Sequence, residues 1–409
     1  MRKLLRRLAL ALSVVLLLTA LAGFIYRDRL LRLHAVNTLF AAEKIVGNFS
    51  SMKDLFFWKP IPSAGNVVAW PQRPAKIAER YRFDGSERSV SEWLDRTTTT
   101  SFLVAHDGFI VHEEYRLGTK REDLRISWSI AKSMLSAGFG IAVAEGAVKS
   151  LDDQVTIYAP TLKGTAYDGA SIRNVLNMAS GVKFNEDYLD FNSDINRMGR
   201  VLALGGTMDD FTASIKERVR PPGTQRQYVS TDTHVLAMVL RAATGKELAT
   251  WLGERLFGPL GVESEPYYLT DGIGVEFALG GINLTTRDYA RFGQLFVDGG
   301  RWQGRQIVPE YWVRESVMPN SPPAASPRDP FGYGYQWWVP IDSDGEFYAI
   351  GVYGQYIYVN PRARVVVVKT SADRKFRDDG NRGRVVQAEA VAAFRAIAQG
   401  LSGWQSPER

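Results

Sequence analysis

From Leu8 to Ile25 the chain reads LALALSVVLLLTALAGFI, 18 residues without a charge. Few environments accept such a run. At about 1.5 Å per residue a helix of this length nearly spans a hydrocarbon core of roughly 30 Å. A soluble helix that is apolar on every face would need burial all round. Arg2, Lys3, Arg6 and Arg7 precede the run, which predicts a cytoplasmic N-terminus with the rest of the chain across the membrane. The competing expectation is a cleaved signal peptide, with Ala20-Leu21-Ala22 as the small-x-small site. The helical pattern continues through YRDRLLRLHAVNTLFAAEKIV without a break after Ala22, and this favours an uncleaved anchor over residues 1–26. On either reading the body lies in the periplasm or outside the cell.

The formal charge of +6 belongs to this same end. Arg2, Lys3, Arg6, Arg7, Arg27, Arg29 and Arg32 against Asp28 account for all of it, so the remaining chain is neutral. A nucleic-acid partner is excluded, because such a binder carries its excess on the folded domain. The expected partner of these cations is anionic lipid. The chain has no cysteine, which excludes disulfides, Cys-ligated zinc, iron–sulfur clusters, a thiol nucleophile and a lipidated N-terminus. Its four histidines, at 34, 106, 112 and 234, are too scattered for a His-rich metal site.

Residues 27–84 are expected to form a stalk and an extended N-terminal segment: an amphipathic helix over 27–48, then the Pro-rich, aromatic stretch 49–80. Residues 85–409 are the expected body. TSFLVAHDGFIVHEEYRLG (100–118) predicts a hairpin turning at Asp107-Gly108. Helices are predicted over 129–147, 171–179, 232–243, 286–298 and 384–399. Residues 346–371 predict two strands joined by Asn360-Pro361-Arg362-Ala363. Strands at both ends with helices between them imply an antiparallel sheet closed by the two termini, with a helical insertion.

Three short segments carry the chemistry. In Ser129-Ile130-Ala131-Lys132, an S-x-x-K at a predicted helix start, hydroxyl and amine share one helical face. A serine needs a neighbour to take its proton. A lysine serves only when burial or nearby positive potential depresses its pKa. The bland alternative is an N-cap serine with a solvated lysine. Lys132 lies in the apolar run SIAKSMLSAGFGIAVA, where a merely structural lysine is out of place. Tyr228-Val229-Ser230 follows the Pro221-Pro222-Gly223 turn and precedes a predicted helix. A loop tyrosine facing a cationic lysine is expected to exist partly as phenolate and to shuttle protons. Otherwise Tyr228 is a core residue and Ser230 a cap. Val352-Tyr353-Gly354-Gln355 is assigned to the first late strand, where Gly354 lets a substrate come close and the Gln355 N–H supplies an oxyanion donor. Taken alone, this is an ordinary strand glycine.

Together these segments resemble the serine β-lactamase-like (penicillin-recognising) hydrolases. FLVAHDGFIVHEEY, SIRNVLNMASGVKFNEDYLD, GGINLTTRDYARFGQLFVDGGRWQGRQIVP and YGQYIYVNP carry the likeness across roughly residues 85–400. Within the family the chain is most similar to class C-type esterases and 6-aminohexanoate-dimer hydrolases, which share Tyr-x-Ser. The resemblance implies an α+β fold: an antiparallel sheet flanked by helices, with a helical insertion, preceded here by the membrane helix. It implies Ser129 as the acylated nucleophile, Lys132 as its base partner and Tyr228 as the second proton-transfer group. Ser230 is a polarising hydroxyl, and the N–H groups of Ser129 and Gln355 form the oxyanion hole. Gly354 and Tyr353 border the substrate, and Tyr188 matches a tyrosine that contacts an amide substrate. No cofactor or metal is expected.

The departures bear on the substrate. β-Lactamases and transpeptidases carry Lys-Thr-Gly where this chain has Val352-Tyr353-Gly354, and Lys369-Thr370-Ser371 is expected only to end the next strand. The missing cation favours a neutral small-molecule amide or ester over a β-lactam or D-Ala-D-Ala peptide. The remaining expectations are structural. Ser180-Gly181 lacks a G-x-S-x-G elbow, and Gly138-Phe139-Gly140 is helix packing. Glu186, Asp187 and Asp190 form an exposed acidic turn, His234 is packed, and Arg287-Asp288 form a local pair. Residues near Trp337-Trp338 line the cleft. Three readings stand at this point: an extracytoplasmic serine hydrolase, a β-lactamase or D,D-peptidase, and a membrane-tethered binding protein that has lost turnover.

Overall fold

A computed structural model describes residues 2–63, 67–326, 329–376 and 382–405. The helices that matter here are α1 (Arg2–Ile25), α2 (Arg27–Thr38), α3 (Ile130–Ala144), α4 (Asp194–Leu204), α5 (Ser230–Thr244), α6 (Thr286–Val297) and α7 (Arg382–Ser402). The strands are β1 (Trp58–Pro60), β2 (Thr99–His106), β3 (Phe109–Tyr115), β4 (Arg125–Ile126), β5 (Tyr267–Leu269) and β6 (Ile282–Leu284). They continue with β7 (Phe331–Tyr333), β8 (Trp338–Pro340), β9 (Phe347–Gly351), β10 (Gln355–Asn360) and β11 (Val365–Ser371).

The main sheet has seven strands in the order β7-β8-β9-β10-β11-β2-β3, and every pair is antiparallel. The early hairpin thus lies beside the last strand, and the termini of the body close the sheet. Both faces are covered, so β11 is not an alternating strand: VVVVKTS is buried throughout. Val366 and Val368 enter one apolar cluster with the helical part of the molecule. Val365 and Val367 enter a second cluster under α7. This is the period-two geometry of a strand, buried on both faces. The 346–371 region holds three strands where two were expected, because Val352–Gly354 is itself a turn.

α1 is exposed along its whole length. α2 continues it and meets α4, where the Arg32 guanidinium donates to the Ala203 carbonyl at 3.2 Å. The amphipathic helix expected over 27–48 stops at Thr38. The Asn48 side-chain amide donates to the carbonyls of Thr38 and Leu39 at 3.4 and 3.0 Å, which satisfies the helix end and folds the chain back. Leu39, Ile45, Phe49, Met52, Phe56 and Ile61 are then buried in the main core. β1 pairs with β5 in a small sheet of order β1-β5-β6-β4. Residues 64–66 of the stretch expected to be extended lie outside the described residues.

Candidate active site

The small sheet sets the segment that leads into α3. The Ser127 N–H donates to the Ile282 carbonyl at 2.8 Å. Trp128 then turns the chain with φ +44°, a left-handed conformation uncommon for an aromatic residue. It enters α3 at Ser129. Ser129 occupies the N-cap position, yet its side chain makes no capping hydrogen bond. The hydroxyl instead faces Lys132, whose Nζ lies 3.3 Å from Ser129 Oγ and 2.9 Å from the Leu279 carbonyl oxygen. Lys132 is 1% exposed. Burial pulls its amine down to about 7, against the opposing influence of Glu186 and Asp232. A neutral amine is therefore accessible near neutrality, as a base toward serine requires.

Tyr228 hydrogen-bonds the Ser129 side chain, and its ring centre lies 5.3 Å from Lys132 Nζ. The ring stacks on Trp338 at 5.4 Å. Burial, followed by the charge of Glu186, pushes the phenol well above its ordinary value. This corrects the expectation of a partial phenolate: burial and the charge of Glu186 outweigh the Ser129 hydrogen bond, which alone favours the charged ring. Trp338 borders the cleft as expected, whereas Trp337 is fully buried in the core.

Val352–Gln355 sits at the turn between β9 and β10, not within a strand. Gly351 pairs with Gln355, so the loop is the three residues Val352–Gly354, in which Tyr353 and Gly354 take the left-handed φ of +61° and +86°. The Gln355 side chain locks the turn from behind. Its amide donates to the Val352, Tyr353 and Ser371 carbonyls, and its oxygen accepts from the Ser371 N–H at 3.0 Å. At Gly351 an added Cβ would lie 2.6 Å from the Ser127 carbonyl oxygen, so the end of β9 abuts the nucleophile segment. Lys369 is buried under this turn among Trp93, Tyr356 and Ser371 and does not line the cleft.

The acidic turn needs correction at one residue. Asp187 is exposed, but Glu186 points inward and accepts from the Ser230 N–H at 3.1 Å, the Ser230 hydroxyl at 2.5 Å and the Tyr188 hydroxyl at 3.0 Å. Burial raises its carboxyl, and Lys132 counters that rise. Ser230, fully buried at the start of α5, thus donates its hydroxyl to Glu186 and borders the smaller of the two cavities beside Ser129. Arg287 and Asp288 also differ from expectation. Consecutive helical residues diverge by about 100°, and Arg287 pairs with Glu113 while Asp288 pairs with Arg291. His234 is packed as expected, 2.7 Å from Asp209.

Ser129 lies where two cavities meet. The larger, of about 480 Å³, is bordered by Tyr228, Glu186, Arg226, Trp338, Gly354 and Asp373, among others. The smaller, of about 260 Å³, reaches between α2, α4 and the 39–56 segment and includes Tyr353. Tyr188 borders both. Among the described residues no group of acidic and histidine side chains is placed to hold a metal ion.

The family model described as Beta-lactamase matches residues 90–392. A 6-aminohexanoate-dimer hydrolase of Paenarthrobacter ureafaciens is 32% identical over 295 residues, covering 69% of this chain and 75% of that protein. A Bacillus anthracis structure described as a 6-aminohexanoate-dimer hydrolase superposes with a TM-score of 0.78 at 26% identity, over 89% of this chain and 96% of that one. A Bacteroides dorei structure described as a β-lactamase shares the fold at a TM-score of 0.58 and 19% identity, over 75% and 97% of the two chains.

Proposed function

The chain belongs to the β-lactamase family and is a serine hydrolase, and on that premise we propose that it cleaves an amide or ester through an acyl-enzyme on Ser129. The observation that carries this reading is the buried Lys132 amine 3.3 Å from the serine hydroxyl, with its pKa depressed to about 7. Neutral Lys132 takes the hydroxyl proton as Ser129 Oγ bonds to the carbonyl carbon. The oxyanion is met by the N–H groups of Ser129 and Gln355; loss of one such donor costs about 3–4 kcal/mol in a serine protease. Collapse breaks the bond to the leaving group, which receives the lysine proton by way of the Tyr228 hydroxyl. Water then attacks the acyl carbon, its proton returns through the same groups, and Ser129 is restored. Glu186 holds Tyr188 and the start of α5 beside the reacting groups. The likeness to 6-aminohexanoate-dimer hydrolases supports an amide. The uncharged Val352-Tyr353 turn, with Lys369 buried behind it, argues against an anionic β-lactam or D,D-peptide.

The apolar, exposed α1, with its preceding cations, supports an anchor or signal segment and a body outside the cytoplasm. Protease added to spheroplasts is expected to digest the body. Ser129→Ala is expected to abolish hydrolysis of a p-nitrophenyl ester with an unchanged circular dichroism melt. Retained turnover would reject the mechanism, and a fluorophosphonate that leaves Ser129 unlabelled would favour a binding protein of the same fold.

A further inference from the structure

Resting on the acyl-enzyme reading, we infer that the smaller cavity is the acyl pocket and that it takes an uncharged hydrocarbon chain, so the substrate is an acyl amphiphile with an apolar acyl half and a polar leaving half. The two cavities differ in the groups they offer. Tyr228, the group that delivers a proton to the leaving atom, borders only the larger one, together with Glu186, Arg226, Asp329 and Asp373. The leaving half therefore points there, and the acyl half must occupy the other side of Ser129.

That other side is lined by Leu39, Met52, Phe56, Met198, Leu202 and Leu279. Among the described residues its lining includes no Asp or Glu. Several polar groups at its border are engaged, whereas the buried Trp128 Nε1 has no hydrogen-bond partner. The Asn196 amide donates to the Tyr188 and Asp190 carbonyls, Arg200 donates to the Phe191 carbonyl at 2.8 Å and lies over the Phe191 ring, and Ser230 holds Glu186. An ammonium at the far end of an acyl chain would be buried there without a counter-charge, which is strongly unfavourable. An engineered apolar cavity of about 150 Å³ holds benzene, so by proportion about 260 Å³ has room for on the order of ten carbons. One wall comes from α2 and the segment that follows it, the direct continuation of the exposed apolar α1. A chain that reaches this pocket comes either from water or from a bilayer around α1.

The test uses the full chain in phosphatidylcholine vesicles and p-nitrophenyl esters from acetate to dodecanoate, with the 6-aminohexanoate and heptanoate esters as a matched pair. kcat/KM is expected to rise about threefold per added CH₂ until the pocket fills near eight to ten carbons, and heptanoate is expected to exceed 6-aminohexanoate by about 100-fold or more. Gly199, on α4, lines the pocket, and a Cβ added there meets nothing within 4 Å. Gly199→Phe is expected to lower the octanoate-to-acetate ratio by at least about 30-fold, and Gly199→Leu, which intrudes less, by an intermediate factor. Turnover that rises when a decanoate ester is loaded into the vesicles places its source in the bilayer; turnover that rises when it is monomeric places the source in water. Either keeps the pocket. A flat chain-length profile, or equal turnover of the matched pair, overturns the inference while Ser129-dependent hydrolysis leaves the acyl-enzyme standing. Hydrolysis that survives Ser129→Ala removes both.

Discussion

Lys132 and Glu186 are coupled across the active site. Lys132 must lose its proton before it can accept one from Ser129, and burial sets its pKa at about 7. Below that value the amine is charged and cannot act as a base, so kcat/KM for an ester is expected to climb through neutrality and level off above it. Glu186 raises the lysine pKa by its charge. Glu186→Gln removes that charge while keeping an acceptor for Ser230, so the acidic limb of the profile is expected to move to lower pH. A limb that stays put would mean that this carboxyl carries no charge in the working enzyme. The expected lysine–serine and tyrosine–serine contacts are both present: the first is local geometry fixed by one turn of helix, the second is made only by the fold. Glu186 was not legible: its partners Ser230 and Tyr188 are brought to it by folding, and nothing in NEDYLD distinguishes an inward carboxylate from a solvated one.

At the level of elements, the tight places are the β9–β10 turn and the packing of α3. Gly354 combines a φ of +86° with a site where a Cβ would lie 3.1 Å from Ser371 Cβ. Gly354→Ala is expected to cost about 1–2 kcal/mol of stability and, on the proposed role of the Gln355 N–H as an oxyanion donor, to lower kcat/KM about tenfold or more as that group shifts. Kinetics with a wild-type rate would show that this N–H is not a donor to the oxyanion. On α3, a Cβ at Gly140 would fall 2.2 Å from the Trp312 ring. Gly140→Ala is expected to lower urea stability by about 1–3 kcal/mol. The helix expected over 129–147 forms over 130–144, and both its glycines are packing residues as expected: Gly138 faces Leu252. α4 does carry local signals, a capping Ser193, Asp194 in the first turn and a left-handed Gly205 after its end, but the mid-helix Gly199 and the acidic stretch before it mask them.

For the whole molecule, the sequence marks residues 1–26 as separable, and burial draws a finer division within 27–84. α1 has no buried residue, but residues 39–61 place six side chains in the core and add β1 to the small sheet. Deletion of residues 2–25 is expected to release the protein from membranes with Ser129 still reactive toward a fluorophosphonate. Deletion of residues 2–61 is expected to abolish cooperative unfolding, because one wall of the main core leaves with the segment. The sheet closed by both ends of the body was readable because β2, β3 and β11 are dense in β-branched and aromatic residues. The role of the 39–61 segment was not, because its apolar and aromatic residues look alike whether the stretch lies over a domain or inside one.

The close abutment of Gly351 on the Ser127 carbonyl ties one side of the cleft into a rigid jaw: the end of β9 and the segment that carries Ser129 move together or not at all. Adaptation to a bulkier or differently shaped molecule must then come from the opposite side, the 185–192 segment. Under laboratory selection for a new substrate, beneficial changes are expected to accumulate in that segment and to leave Gly351 untouched.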